Sequence, residues 1–264
     1  MRMGSLSRTH LVAAALALGG LLLWSYPSGA QVSDDESKCQ VGTSLALSKF
    51  VRQKAKCLMA CYRGAQEGKN PTSDCVSPFG GSTHGCVQQA ESDTKGLGQT
   101  KCSKDCPECY TGGDCQADMD GRVVATEAHV DSLLAQVFCD DSGSTDGLNP
   151  AEAKCQIGLA KALSKFTATK MKCLAKCRKA EHFGKIPPNS CNPPNPTDPK
   201  TVECITKAET KYPLKIDKYC ETSSLNPSAD KPECGLYPTT NGAGWVAGEE
   251  ADVDANGPGL YCGS

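Results

Sequence analysis

A cysteine-bearing segment occurs twice in this chain, and any fold must accommodate that repetition. Lys38-Cys39-Gln40-Val41-Gly42 returns 116 positions later as Lys154-Cys155-Gln156-Ile157-Gly158. Over residues 38–64 and 154–180 the copies agree at 14 of 27 positions. The cysteines keep time beyond that stretch. Cys61 to Cys75 and Cys177 to Cys191 both span 14 residues, and after a two-residue slip Cys86 to Cys102 and Cys204 to Cys220 both span 16. A fainter echo matches Cys115 and Cys139 with Cys234 and Cys262. The chain therefore reads as a tandem duplication, with unit 1 over 31–150 and unit 2 over 151–264.

Residues 1–30 read as a secretory signal peptide. Arg2 and Arg8 flank the start, Leu11 to Leu23 is apolar, and Ser28-Gly29-Ala30 offers a small-residue cleavage site before Gln31. The apolar run is short for a membrane span, and no second run approaches that length. All 18 cysteines lie after residue 30. An even number of cysteines in an exported chain points to paired sulfurs and a secreted or periplasmic location. Aromatic residues make up only 5% of the sequence, which argues against one large enzyme core and leaves disulfides to supply stability.

The periodicity predicts helices. Ile157, Ala160, Leu163, Phe166, Lys170, Cys173, Leu174 and Cys177 recur at three- and four-residue steps, and Val41, Leu45, Phe50, Cys57, Leu58 and Cys61 repeat the pattern. Cys155 and Cys173 are five whole turns apart and share a face. Gly64 and Gly184 are the expected terminators. A Pro/Gly-rich loop and a second helix follow in each unit, with breaks expected at Gly96 and Gly98 and at Pro213. The remainder of each unit, rich in Gly, Asp and Pro, reads as loop.

The expected fold is all-α, small and disulfide-rich: two tandem disulfide-stapled helical hairpins with irregular, loop-rich tails. In an antiparallel hairpin, facing residue numbers keep a near-constant total. That pairs Cys39 with Cys102, Cys57 with Cys86, Cys155 with Cys220 and Cys173 with Cys204. Cys61 and Cys177 then reach Cys75 and Cys191 in the loops. Cys115–Cys139 and Cys234–Cys262 are the expected tail staples, and Cys106 and Cys109 pair locally or with the tail. The C-x3-C pairs have a general likeness to small helical-hairpin proteins. Their spacing departs from that of the plant hairpin inhibitors and of the mitochondrial twin C-x9-C proteins.

Catalytic signatures are sparse. Cys106-Pro107-Glu108-Cys109 lacks the strand-helix context of a redox motif, the following histidine of a haem site, and a second pair for zinc. An exported enzyme or thiol-disulfide redox protein using Cys106 and Cys109 is the alternative reading, and no cofactor is expected. Asp118, Asp120 and Glu127 fit part of an EF-hand spacing, but Gln116 stands where the first carboxylate belongs. A calcium-dependent surface module is therefore a weak candidate, set against ordinary turn chemistry.

Charge is segregated. Lys38 to Lys69 carries seven basic residues against Glu67 alone, and Lys154 to Lys185 nine against Glu181 alone, while the tails are acidic. Lys161, Lys165, Lys172, Lys176 and Lys179 form the candidate binding surface. An anionic glycan, a lipid head group or another protein is the expected partner, and nucleic acid is not. The leading expectation is a non-enzymatic binding or structural protein displaying its two first helices.

Overall fold

The two long helices begin and end at matched positions. In the computed structural model, which describes residues 33–107, 110, 114–138, 148–220 and 241–256, α1 spans Asp34–Gln66 and α4 spans Pro150–His182. Ser33 caps α1 and Asn149 caps α4, each in a reciprocal capping box with Glu36 or Glu152 three residues on. Pro150 occupies the first turn of α4, where its missing N–H costs nothing.

At the C-termini the chain turns through Gly68 and Gly184, both with positive φ (67° and 61°). The Lys69 N–H donates to the Gly64 carbonyl and the Lys185 N–H to the Ala180 carbonyl, the closing bonds of a Schellman motif. The terminator of α1 is thus Gly68 rather than Gly64. Gly64 is small for another reason: a Cβ there would come within 2.1 Å of Asn70 Oδ1.

A 3-10 turn (Thr72–Cys75) follows α1, and α2 (Gly81–Cys102) and α5 (Pro199–Cys220) are the second helices. Neither is interrupted at the expected breaks. Gly98 serves packing instead: a Cβ there would lie 2.6 Å from the sulfur of Met119. Pro213 is inside α5, and Gly242 sits so close that a Cβ would meet the Pro213 carbonyl oxygen at 2.4 Å.

Sulfur joins each long helix to its successor at two heights, through Cys39–Cys102 and Cys57–Cys86, and through Cys155–Cys220 and Cys173–Cys204. Cys61–Cys75 and Cys177–Cys191 tie in the intervening loops. The seventh bridge among the described residues is Cys106–Cys115, not the expected Cys115–Cys139. Cys115 opens α3 (Cys115–Phe138), so the full helix, about 36 Å at 1.5 Å per residue, separates it from Phe138, the last described residue before Cys139 in the sequence. Cys106 lies just upstream and is within reach. Cys109, Cys139, Cys234 and Cys262 fall outside the described residues.

The tails correct a second expectation. Where Gly and Asp suggested loop, α3 and α6 (Gly242–Asn256) are helices. In α3, Met119, Val123, Thr126, Val130, Leu133, Leu134 and Val137 form a buried stripe at three- and four-residue steps. All six α-helices among the described residues share an all-helical arrangement without strands.

The packing centres on α1 against α4. α2 lies on α1, α5 on α4, α3 on α1 and α2, and α6 on α5 and α4. Near one end of the α1–α4 seam Gln66 Nε2 donates to Gln156 Oε1 (3.1 Å), and near the other His182 Nδ1 meets Ser37 Oγ (2.9 Å), so the two helices run antiparallel. One apolar cluster extends from Leu47 and Phe50 through Leu163 and Phe166. Tyr62 stacks on Phe138 with ring centres 4.0 Å apart, and Phe166 meets Tyr212 edge-on.

Candidate ligand-binding seam

Lysines of this protein fall into two populations, and the contrast locates the site. Lys54 and Lys170 occupy the same register, 116 positions apart, and their side chains are 0% and 1% exposed. Each is held by two carboxylates one turn apart on the tail helix. Lys54 Nζ lies 2.6 Å from Glu127 and 2.7 Å from Asp131; Lys170 Nζ lies 2.6 Å from both Glu250 and Asp254.

A third carboxyl from the second helix completes each group. Burial pushes Glu91 upward, reinforced by the charge and hydrogen bond of Glu127. Burial and the adjoining Glu250 push Glu209 up to about 7. Asp131 and Asp254 are also raised by burial, against the opposing pull of the lysines. Burial is the main cause of the upward shifts, and the crowding of three carboxyls around one cation adds to it. The acidic tails are thus spent internally, on fastening α3 to α1 and α6 to α4.

The calcium candidates belong to this fastening. Asp118, Asp120 and Glu127 stand on a continuous helix rather than a loop that wraps an ion. Asp118 pairs with Arg122, Asp120 accepts from Gln116 (3.0 Å) and faces Lys95 (3.3 Å), and Glu127 holds Lys54. Asp118 and Asp120, two residues apart, point to different sides of α3.

The second population of lysines lines the seam. A cleft of about 1000 Å³ opens between α1 and α4. Lys49, Arg52, Lys56 and Arg63 supply one wall, and Lys154, Lys161 and Lys165 the other. Glu67 is the single acidic residue on the lining, and it is paired with Lys69. Among the described residues none of those seven cations forms an ion pair. Partial burial, with the charges of Lys161, Lys215, Arg52 and Lys211, holds Lys165 below the usual lysine range. Lys172 is lowered by partial burial, Arg52 and Lys176.

Of the sequence-derived binding residues, Lys161 and Lys165 line this cleft. Lys172 adjoins it through Arg52, and Lys176 is exposed beyond. Lys179 is separated from them, in a 340 Å³ recess at the opposite end of the seam with Lys38, Lys101 and Phe183. The sequence reading names both first helices as the contact surface but draws its residues from the second copy alone; Lys49, Arg52 and Lys56 of α1 belong to the same surface as Lys161 and Lys165. The matched pairs Lys49/Lys165 and Lys56/Lys172 carried that signal.

The cleft carries a marked excess of positive charge and, among the described residues, no nucleophile–base pair. No described cysteine is free, and the sulfur of Cys106 is engaged by Cys115. Compared with protein-family models, curated proteins and solved structures, the chain matches none.

Proposed function

We propose that this chain is an exported, non-enzymatic binding protein, built from two tandem disulfide-stapled hairpins, that holds an anionic ligand in the cleft between α1 and α4. One observation carries the reading: seven cations line the cleft without an ion-pair partner among the described residues, while Lys54 and Lys170 are each satisfied by two carboxylates. Concentrated like charge destabilises a folded chain, and an anionic ligand offsets it. Low-dielectric helix walls focus the field and raise the local concentration of anions.

Export is supported by the disulfide content and by the leader-like residues 1–30. No described helix is long and apolar enough to cross a membrane. The partner class is acidic glycan, acidic lipid head group or acidic protein surface, recognised through ammonium and guanidinium groups.

Retention on immobilised heparin, followed across a salt gradient, tests the reading. The expected result is elution well above the salt that releases a protein of equal net charge, falling steeply with ionic strength. Passage through the matrix at low salt overturns it.

A further inference from the structure

We infer that the cleft is a single composite site for a linear acidic polysaccharide, which lies along the α1–α4 seam and contacts both halves of the chain at once. The inference rests on the anion-binding reading above and names its ligand.

The arrangement of cations indicates an extended ligand. Lys49, Lys56 and Arg63 recur every seven residues on α1, and Lys165 and Lys172 repeat that step on α4. Seven residues are nearly two turns, so like charges follow one another at about 10.5 Å along each helix. The α1 row from Lys49 to Arg63 covers about 21 Å. An acidic group recurring with each disaccharide suits that interval, and lysine ammonium groups suit separate point charges better than a compact bidentate one.

Other polyanions fit less well. Duplex DNA carries a charge roughly every 1.7 Å of axis, denser than the seven cleft cations, which fall at about one per 3 Å over the same 21 Å. Single strands are held by stacking on aromatic side chains, and among the described residues Tyr219 is the one aromatic on the lining. A bilayer presses on a flat or convex face armed with apolar side chains. Here the cations sit in a cleft, and none of the exposed large apolar side chains, such as Leu45, Phe183 or Leu214, lines it.

The two ends of the seam also differ, which sets one ligand per chain. In the large cleft Lys161 faces the ligand and Gly158 lies against Tyr219, where a Cβ would meet the ring at 2.2 Å. At the other end the matched positions are Leu45 and Gly42, with Lys101 over the glycine. Phe183 stands where the cleft has Glu67, and Asp35 takes up Lys38 at 2.6 Å. The second recess is the smaller, 340 Å³ against about 1000 Å³, and mixes an internal ion pair and the apolar Leu45 and Phe183 with its cations.

Titration calorimetry on the full mature protein tests this, with heparin octasaccharide, its desulfated form, polygalacturonate oligomers, phosphatidylglycerol vesicles and single-stranded DNA as probes. At least one glycan is expected to bind with one site per chain. Loss on desulfation identifies the sulfate as the recognised group; retention, or binding of polygalacturonate, identifies the uronate carboxylate. The combined variant Arg52→Gln, Lys56→Gln and Lys165→Gln should weaken glycan binding at least tenfold. Lys161→Leu, which copies the smaller recess, should weaken it severalfold, with the helical circular dichroism unchanged. Lys38→Gln with Lys101→Gln and Lys179→Gln should leave it within twofold. Two equivalent sites, or indifference to the Arg52 combination, overturns the inference. Binding of vesicles or DNA without any glycan overturns it too, while leaving the anion-binding reading in place. Failure of every probe removes both.

Discussion

The imidazole of His129 on α3 lies 3.0 Å from the carboxylate of Glu249 on α6, joining the tail helices of the two halves through a partly buried ring and a buried carboxylate. Glu249 is fully buried and also accepts from the Thr167 hydroxyl on α4. Burial disfavours the imidazolium, but the hydrogen bond and charge of Glu249, with Asp252 nearby, outweigh it and raise the pKa above 6.5.

The pair contributes its full stabilisation below pH 6.5 and loses it as pH climbs through the raised value. Glu249→Gln removes the opposing charge and leaves burial dominant. The His129 pKa, followed by NMR titration, is expected to drop below 6.5 in this variant, and the pH dependence of unfolding near neutrality to weaken. A His129 titration unmoved by Glu249→Gln would show that the contact does not govern the imidazole.

Lys170→Met leaves Glu250 and Asp254 without their cation and should cost about 3–5 kcal/mol in urea unfolding, the usual penalty for stranding buried charge. Adding Glu250→Gln and Asp254→Asn should recover most of that loss, because the neutral set no longer needs a counter-ion. The same logic applies to Lys54 with Glu127 and Asp131.

Glu209 gives a separate pH signature. Its value of about 7 lies above the ordinary 4.5, so the folded state binds a proton that the unfolded chain releases. Stability from this group is complete below pH 4.5 and is lost as pH rises to and beyond 7. Glu209→Gln should flatten the stability profile between pH 5 and 8 and make the variant more stable than wild type at pH 8. Unfolding midpoints measured at intervals of one pH unit decide the matter.

The bridges should differ in worth by the loops they close. Cys39–Cys102 spans 63 residues and Cys61–Cys75 spans 14. Loop entropy assigns them about 4 and about 3 kcal/mol. Paired serine substitutions, compared by denaturant unfolding, should rank in that order. Peptide mapping of unreduced protein should recover Cys106 linked to Cys115.

The long helices and their bridges were legible because two signals coincided there. Apolar residues at helical steps placed α1 and α4, and the cysteines of each pair faced one another in an antiparallel register. Helices α3 and α6 were hidden by composition: Asp118, Asp120 and Gly121 look like turn residues, although Met119, Val123 and Val130 already marked a buried stripe. Lys170 stood among apolar positions in the periodic pattern, which was a sign of burial, but its carboxylate partners lie 80 and 84 residues away. The cleft was the least legible feature. No bridge, motif or local pattern says that α1 packs on α4, so the cations of the first helix could not be placed beside Lys161 and Lys165.

Helix α1 is clamped to α2 by sulfur at two well-separated heights, and α4 to α5 in the same way. Two such clamps remove sliding and splaying within each pair, so each wall of the cleft behaves as a stiff beam. No described bridge crosses between the beams, which meet through side-chain packing, the Gln66–Gln156 and His182–Ser37 contacts and the tail helices. The spacing of the charges along each wall is therefore fixed by sulfur, and the width of the gap between the walls is set by the side-chain packing of α1 on α4.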